Sequence, residues 1–151
     1  MRLYKQLIII TLVSLFLSAC SSSNSRYSMR HDAAPLRAPT ELEMQDAIVT
    51  KVIKSASTTR PYEVLGKRYT PMLDETGYSE TGIASWYGRK FHGYHTSNGE
   101  IYDMFAMTAA HKTLPLPSFV RVTNTANGQS VIGRVNDRGP FHDDRIIDLS
   151  Y

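Results

Sequence analysis

The hydrophobic and polar positions change pattern three times along this chain. A short basic start, Arg2 and Lys5, precedes an almost unbroken apolar run from Leu7 to Leu17. That run is too short to span a bilayer comfortably, so residues 1–19 read as an export signal rather than part of a fold. From 21 to 60, Ser, Thr, Pro, Arg and Glu mix with scattered aliphatics and no period persists. This predicts a mostly disordered tether over residues 20–60, within which a short helix around Glu41–Ile48 is allowed. In residues 61–76, Tyr62, Val64 and Tyr69 suggest an extended, ordered arm lying against the domain that follows. From Gly77 to Tyr151 the pattern is all-β with short strands. Ile83–Tyr87, Phe119–Asn124 and Ser130–Val135 are candidate strands, and Arg145–Leu149 reads as a buried one. Ala126-Asn127-Gly128 joins the middle two as a hairpin turn, because Asn and Gly accept positive φ at little cost. Asp148 or Ser150 could cap a following helix.

Charge changes the picture little. The formal charge of +3 falls once Arg2 and Lys5 are removed with the export signal, and residues 77–151 hold seven basic and seven acidic side chains. No basic patch suggests nucleic acid, and no charge run suggests an interaction tail.

The single cysteine, Cys20, ends Leu17-Ser-Ala-Cys20 and is followed by the polar run Ser21–Asn24. Small residues before a cysteine suit a signal peptidase, and the segment resembles a bacterial lipobox. The alternative is an uncleaved anchor with an incidental cysteine. Processing would leave Cys20 carrying diacylglycerol and an N-acyl chain such as palmitate, and several acyl chains anchor stably where one does not. No thiol would then remain for a disulfide or a Cys-based metal site. Ser21 at the second mature position resembles lipoproteins sent to the outer membrane, which places the protein on its periplasmic face.

Four blocks carry the chemistry: Gly82-Ile-Ala-Ser-Trp-Tyr-Gly88, Thr96-Ser-Asn-Gly-Glu100, Thr108-Ala-Ala-His-Lys-Thr-Leu-Pro-Leu-Pro117 and Arg134-Val-Asn-Asp-Arg-Gly-Pro-Phe141. Their ionisable residues sit beside turn-forming Gly, Asn and Pro, where a rigid scaffold presents chemistry at loop tips. In this order the blocks resemble the barrel of the rare lipoprotein A (RlpA) family of septal lytic transglycosylases. The resemblance implies a small six-stranded double-psi β-barrel. In that family a helix and a closing strand follow the Asp-Leu-Ser block, and a peptidoglycan-binding SPOR domain is frequent. The expectation here is therefore a barrel truncated before its last strand.

Asp137 leads as the catalytic candidate, since it follows a strand and precedes the tight turn Arg138-Gly139-Pro140. A partly desolvated carboxyl there can keep a proton for a leaving group; from the residues alone, capping the turn is an equal reading of Asp137. The resemblance favours the functional role. It also implies that His111, otherwise a structural hydrogen-bonder, faces Asp137, and that Glu100, after the Asn98-Gly99 turn, is the third polar member. Trp86 and Tyr87 point to opposite sides of a strand, one for the core and one for stacking on a sugar. Tyr94, Thr96 and Asn98 could line the same groove. Arg138 could bind an N-acetyl or lactyl carboxylate group, or pair with Asp143 or Asp144. His92 and His95 have the spacing of a candidate metal pair, but Gly93 between them argues against the helical face such pairs use.

The implied reaction needs one good acid. It protonates the β-1,4 oxygen between N-acetylmuramic acid and N-acetylglucosamine, then as a base takes the proton of the muramoyl 6-hydroxyl. Intramolecular attack closes a 1,6-anhydromuramoyl end at high effective concentration, without metal or organic cofactor. The resemblance implies a preference for peptide-free glycan strands and a place in cell division and daughter-cell separation, with septal division proteins as possible partners. The alternatives are a non-catalytic glycan-binding lipoprotein, as expansin-like barrels are, or an inactive fragment.

Overall fold

The computed structural model describes residues 26–54 and 56–151. The expected export signal and Cys20 lie outside the described residues. Among those described there is no helix, and two sheets carry the architecture.

The smaller sheet is the arm. β1 (Tyr62–Val64) and β2 (Lys67–Tyr69) pair antiparallel. Tyr62 stacks on Tyr69 with ring centroids 5.3 Å apart, and Tyr69 packs on Phe141 at 5.7 Å. The Tyr62 hydroxyl donates to the Lys112 carbonyl at 2.7 Å. The extended arm of the sequence is thus a hairpin docked on the domain by aromatic contacts.

The larger sheet contains β3 (Ile83–Trp86), β4 (Thr108–His111), β5 (Ser118–Thr123), β6 (Ser130–Asp137) and β7 (Arg145–Leu149) in the order β3-β7-β4-β6-β5. β3 runs parallel to β7 and β4 parallel to β6, while β4–β7 and β5–β6 are antiparallel. Five strands form this sheet among the described residues. β4 was not legible as a strand, because every residue of Thr108-Ala-Ala-His111 is buried and leaves no polar–apolar alternation to read. The β5–β6 turn is as predicted, with Gly128 at a φ of 74°.

Two apolar clusters divide the sheet. Ala109, Leu114, Leu116, Val135 and Ile147 fill one side. Tyr87, Tyr102, Met104 and Ala110 fill the other, where Tyr87 and Tyr102 stack at 4.1 Å. Adjacent Ala109 and Ala110 thus serve opposite faces, as the pleat requires.

The segment read as a tether touches the barrel repeatedly: Asp46 accepts from the Ile132 amide at 2.8 Å, and the Ala47 amide donates to the Ile132 carbonyl at 2.9 Å. Its expected helix is a single turn, in which Met44 N donates to Thr40 O. The Ser150 amide and hydroxyl bond Thr108 and tie β7 to β4.

Candidate functional site

A break in register aims the leading carboxylate. Along the β4–β6 pair, Ala109 faces Val135, but Ala110 faces Asp137, so Asn136 is the extra residue of a β-bulge. A one-residue slip turns every later side chain to the other face. Val135 therefore stays in the core, while Asp137 joins Ala110 in a cleft of ≈ 860 Å³.

The Thr96–Glu100 turn grips that carboxylate. Asp137 Oδ1 accepts from the Ser97 amide at 2.8 Å, the Ser97 hydroxyl at 2.5 Å and the Arg138 amide at 2.7 Å. Oδ2 takes no hydrogen bond among the described residues. Ser97, passed over in the sequence, is thus the closest partner of Asp137; a lone turn serine carries no signal of its own.

Glu100 lies beneath this turn, not in the cleft. It pairs with Arg134 at 2.6 Å and accepts from Asn136 Nδ2 at 2.9 Å and Asn98 Nδ2 at 2.8 Å. Burial alone would raise its pKa, but these donors together hold it below the usual carboxylate value. These bonds fasten the turn to the bulged residue.

His111 does not meet Asp137. On β4 it follows Ala110 and so points to the opposite face, into a second groove with Tyr78 and Glu80. Its Nδ1 accepts from the amides of Thr113 at 3.1 Å and Leu114 at 2.9 Å, and its Nε2 lies 2.9 Å from the Tyr78 hydroxyl. Burial pushes its pKa down to about 4, so the ring is neutral. These bonds hold the turn after β4.

Arg138 is likewise spent on the backbone. It donates to the carbonyls of His111 at 3.2 Å, Leu114 at 2.6 Å and Thr58 at 2.8 Å, and its guanidinium stands 5.6 Å from the Tyr62 ring. It binds neither Asp143 nor Asp144; Asp143 pairs with Lys67. Gly139 follows at a φ of 140°, a conformation that excludes most side chains and lets the chain turn away behind Asp137.

The aromatic pair divides by exposure. Tyr87 is 7% exposed and stacked in the core, whereas Trp86 is 45% exposed with its edge toward Tyr151. Both line the cleft, and Trp86 offers the open ring. Thr96 also lines it, but its hydroxyl is engaged with Asn98 at 2.7 Å. Asn98 and Tyr94 stand outside the lining: Asn98 braces Glu100, and the Tyr94 hydroxyl accepts from the Ser28 amide at 3.1 Å. His92 Nδ1 accepts from the Met104 amide and His95 Nδ1 lies 3.1 Å from the Gly99 carbonyl, so each ring is tied to its own loop.

Asp148 is a second acid of the cleft. Ala110 pairs with Asp137 on one side and with Asp148 on the other, which places both carboxylates on the cleft face with one small residue between. Burial raises the Asp148 pKa, and the positive charges of Arg145, His142 and Lys112 only partly offset it. Its Oδ1 is buried without a hydrogen bond and lies 3.5 Å from Arg145 Nη1. The available signal was a lone acid inside the apolar run of Arg145-Ile-Ile-Asp-Leu149, which a merely structural strand avoids.

This geometry has relatives. Residues 79–151 match the family model described as Lytic transglycolase, a double-psi barrel domain. Over 150 residues the chain is 53% identical to the endolytic peptidoglycan transglycosylase RlpA of Vibrio cholerae serotype O1, covering 99% of this chain and 56% of that protein. It is 51% identical over 154 residues to the protein of the same name from Pseudomonas aeruginosa, covering 93% of this chain and 45% of the other. A Neisseria meningitidis counterpart is 64% identical over 105 residues, or 70% of this chain and 44% of its own. The chain thus spans about half the length of the curated relatives it matches. With the blocks around Trp86, Glu100, His111 and Asp137 all inside the matched region, the chain belongs to the rare lipoprotein A family of double-psi β-barrel proteins.

Proposed function

We propose that this chain is an endolytic peptidoglycan lytic transglycosylase, a lyase that cleaves the bond between N-acetylmuramic acid and N-acetylglucosamine in peptide-free strands. The observation that carries the reading is the bulge that sets Asp137 in a long cleft beside an open Trp86. The names of the relatives support it. Ser97 and the Arg138 amide fix Oδ1, so Oδ2 is the oxygen left for proton transfer. Protonated there, Asp137 gives its proton to the glycosidic oxygen as the C1–O bond breaks. As a carboxylate it then takes the proton of the muramoyl 6-hydroxyl, whose oxygen closes on C1. Atoms balance without water.

A second assignment of the acid has its own observation. Asp148 shares the cleft, and burial favours its protonated form. Digestion of peptide-free glycan strands followed by mass spectrometry decides between them. The expected result is 1,6-anhydromuramoyl ends from the parent protein and none from Asp137→Asn. Ends surviving in Asp137→Asn but lost in Asp148→Asn would move the proton donor to Asp148. Binding without any cleavage in a folded parent would instead leave a glycan-binding module.

Anchoring belongs to the same reading. The lipobox-like Leu17–Cys20 supports acylation at Cys20 and a place on the periplasmic face of the outer membrane, and the resemblance of the four sequence blocks to septal lytic transglycosylases suggests action at the division septum.

A further inference from the structure

We propose that residues 26–33, which precede the barrel, form a docked strap that completes the glycan cleft, with Tyr27 as a wall for sugar stacking. The identity of the occupant rests on the function proposed above; the docking does not.

The anchor is Asp32. Its Oδ2 accepts from the Gly88 amide at 2.7 Å and its Oδ1 from the Lys90 amide at 2.9 Å, so one carboxylate satisfies two backbone donors of the loop after β3. The Ala33 carbonyl accepts from the Arg89 amide between them at 2.9 Å. Lys90 Nζ returns a bond to the Arg30 carbonyl at 3.0 Å. Further out, the Arg26 guanidinium donates to the His95 carbonyl at 2.8 Å and the Ser28 amide to the Tyr94 hydroxyl at 3.1 Å. The contacts thus run the length of the strap.

Gly88 shows how closely the two chains meet. A Cβ there would lie 2.5 Å from the Ala33 carbonyl oxygen and 2.8 Å from the Trp86 ring. The glycine is needed because the strap and the open tryptophan both crowd it.

Tyr27 meets Phe91 at 4.9 Å and Tyr94 at 5.1 Å with interplanar angles of 75° and 76°, and the Arg26 and Lys90 cations each stand 5.6 Å from its ring centroid. Arg26, Tyr27 and Asp32 line the same cleft as Trp86, Asp137 and Asp148. An aromatic ring held between two others is rigid, and a rigid ring at a cleft wall stacks on a sugar at low entropic cost. The barrel alone would present an open floor carrying the acids; the strap gives it a second wall.

Two substitutions in the full chain separate docking from stacking. Asp32→Ala should speed amide hydrogen exchange at Gly88 and Lys90 by about tenfold, as loss of a charge-assisted bond implies. It should also weaken binding of peptide-free glycan strands by roughly 3–10-fold. Tyr27→Ala should weaken that binding to a similar extent while leaving exchange at Lys90 unchanged. Unchanged exchange in Asp32→Ala overturns the docking. Unchanged binding in both variants shows that the strap is no part of the site, and tighter binding shows that it obstructs the cleft; either result overturns the proposal. A parent protein that binds glycan without cleaving it refutes only the lyase reading, because the binding comparison still stands. A parent that binds no glycan refutes both.

Discussion

At the residue scale, neighbouring side chains in this protein have unlike duties. Trp86 and Tyr87 differ by one position, yet one ring is open and the other stacked in the core. Trp86→Ala should therefore weaken glycan binding by roughly tenfold, about 1.4 kcal/mol, with little loss of stability. Tyr87→Ala should lower stability by about 3–5 kcal/mol, as truncation of a buried aromatic does. Isothermal binding and thermal unfolding of both variants check the pair; a stable, binding-defective Tyr87→Ala would reverse the assignment. Asp137 and Asn136 show the same division. The inward Asn136 braces Glu100, while the next residue carries the acid. Which neighbour faces the cleft depends on a bulge, and a bulge leaves no mark in the identities of the residues around it.

At the scale of elements, the turns that follow the strands hold the site. Arg138 binds carbonyls from β4, from the Lys112–Leu114 turn and from the segment before the arm. Arg138→Lys keeps the charge but cannot reach all three carbonyls from one planar head. It should cost about 2–3 kcal/mol of stability and lower turnover more than affinity; a Lys variant of full stability and weakened affinity would restore a carboxylate-binding role. Glu100→Ala leaves the Asn98, Arg134 and Asn136 donors without their shared acceptor. It should loosen the Ser97 grip on Asp137, costing about 1 kcal/mol given how open the Arg134 pair is to solvent. Slower turnover at unchanged KM would report the loosened grip, and unchanged turnover would sever Glu100 from the site. The alternating strands β5 and β6, the Asn127-Gly128 turn and the acid at the end of β6 were legible because period and turn chemistry are local. β4 was not, being buried throughout, and neither was the side of the sheet His111 would take. That side follows from its register beside Ala110, which only the β4–β6 and β4–β7 pairings define. Asp148 was visible as an anomaly but not as a neighbour of Asp137, since Ala110 brings the two together only once β4 lies between β6 and β7.

At the scale of the whole molecule, the neutral His111 couples folding to pH. Folded His111 takes a proton only near pH 4, whereas in the unfolded chain it takes one near its ordinary 6.5. Between those values the unfolded state binds more protons, so stability rises with pH. The contribution is fully present above about 6.5 and is lost progressively as pH falls toward 4. The gap corresponds to roughly 3 kcal/mol, or about 10–20 °C in Tm for a domain of this size. Glu100, whose folded pKa is lowered, adds its own loss only at more acid pH, below the ordinary carboxylate value. The two are therefore separable in a titration: a decline in Tm that starts near pH 6.5 belongs to His111, and a later one to carboxylates. His111→Gln should unfold at a lower temperature at pH 7.5, because the Thr113 and Leu114 amides lose their buried acceptor, and should show a much flatter Tm between pH 6.5 and 4. Differential scanning calorimetry of the parent and the variant across that range measures both effects. An equally steep decline in the variant would remove His111 from the acid response, since a ring that titrates normally is not the buried acceptor that holds the β4 turn.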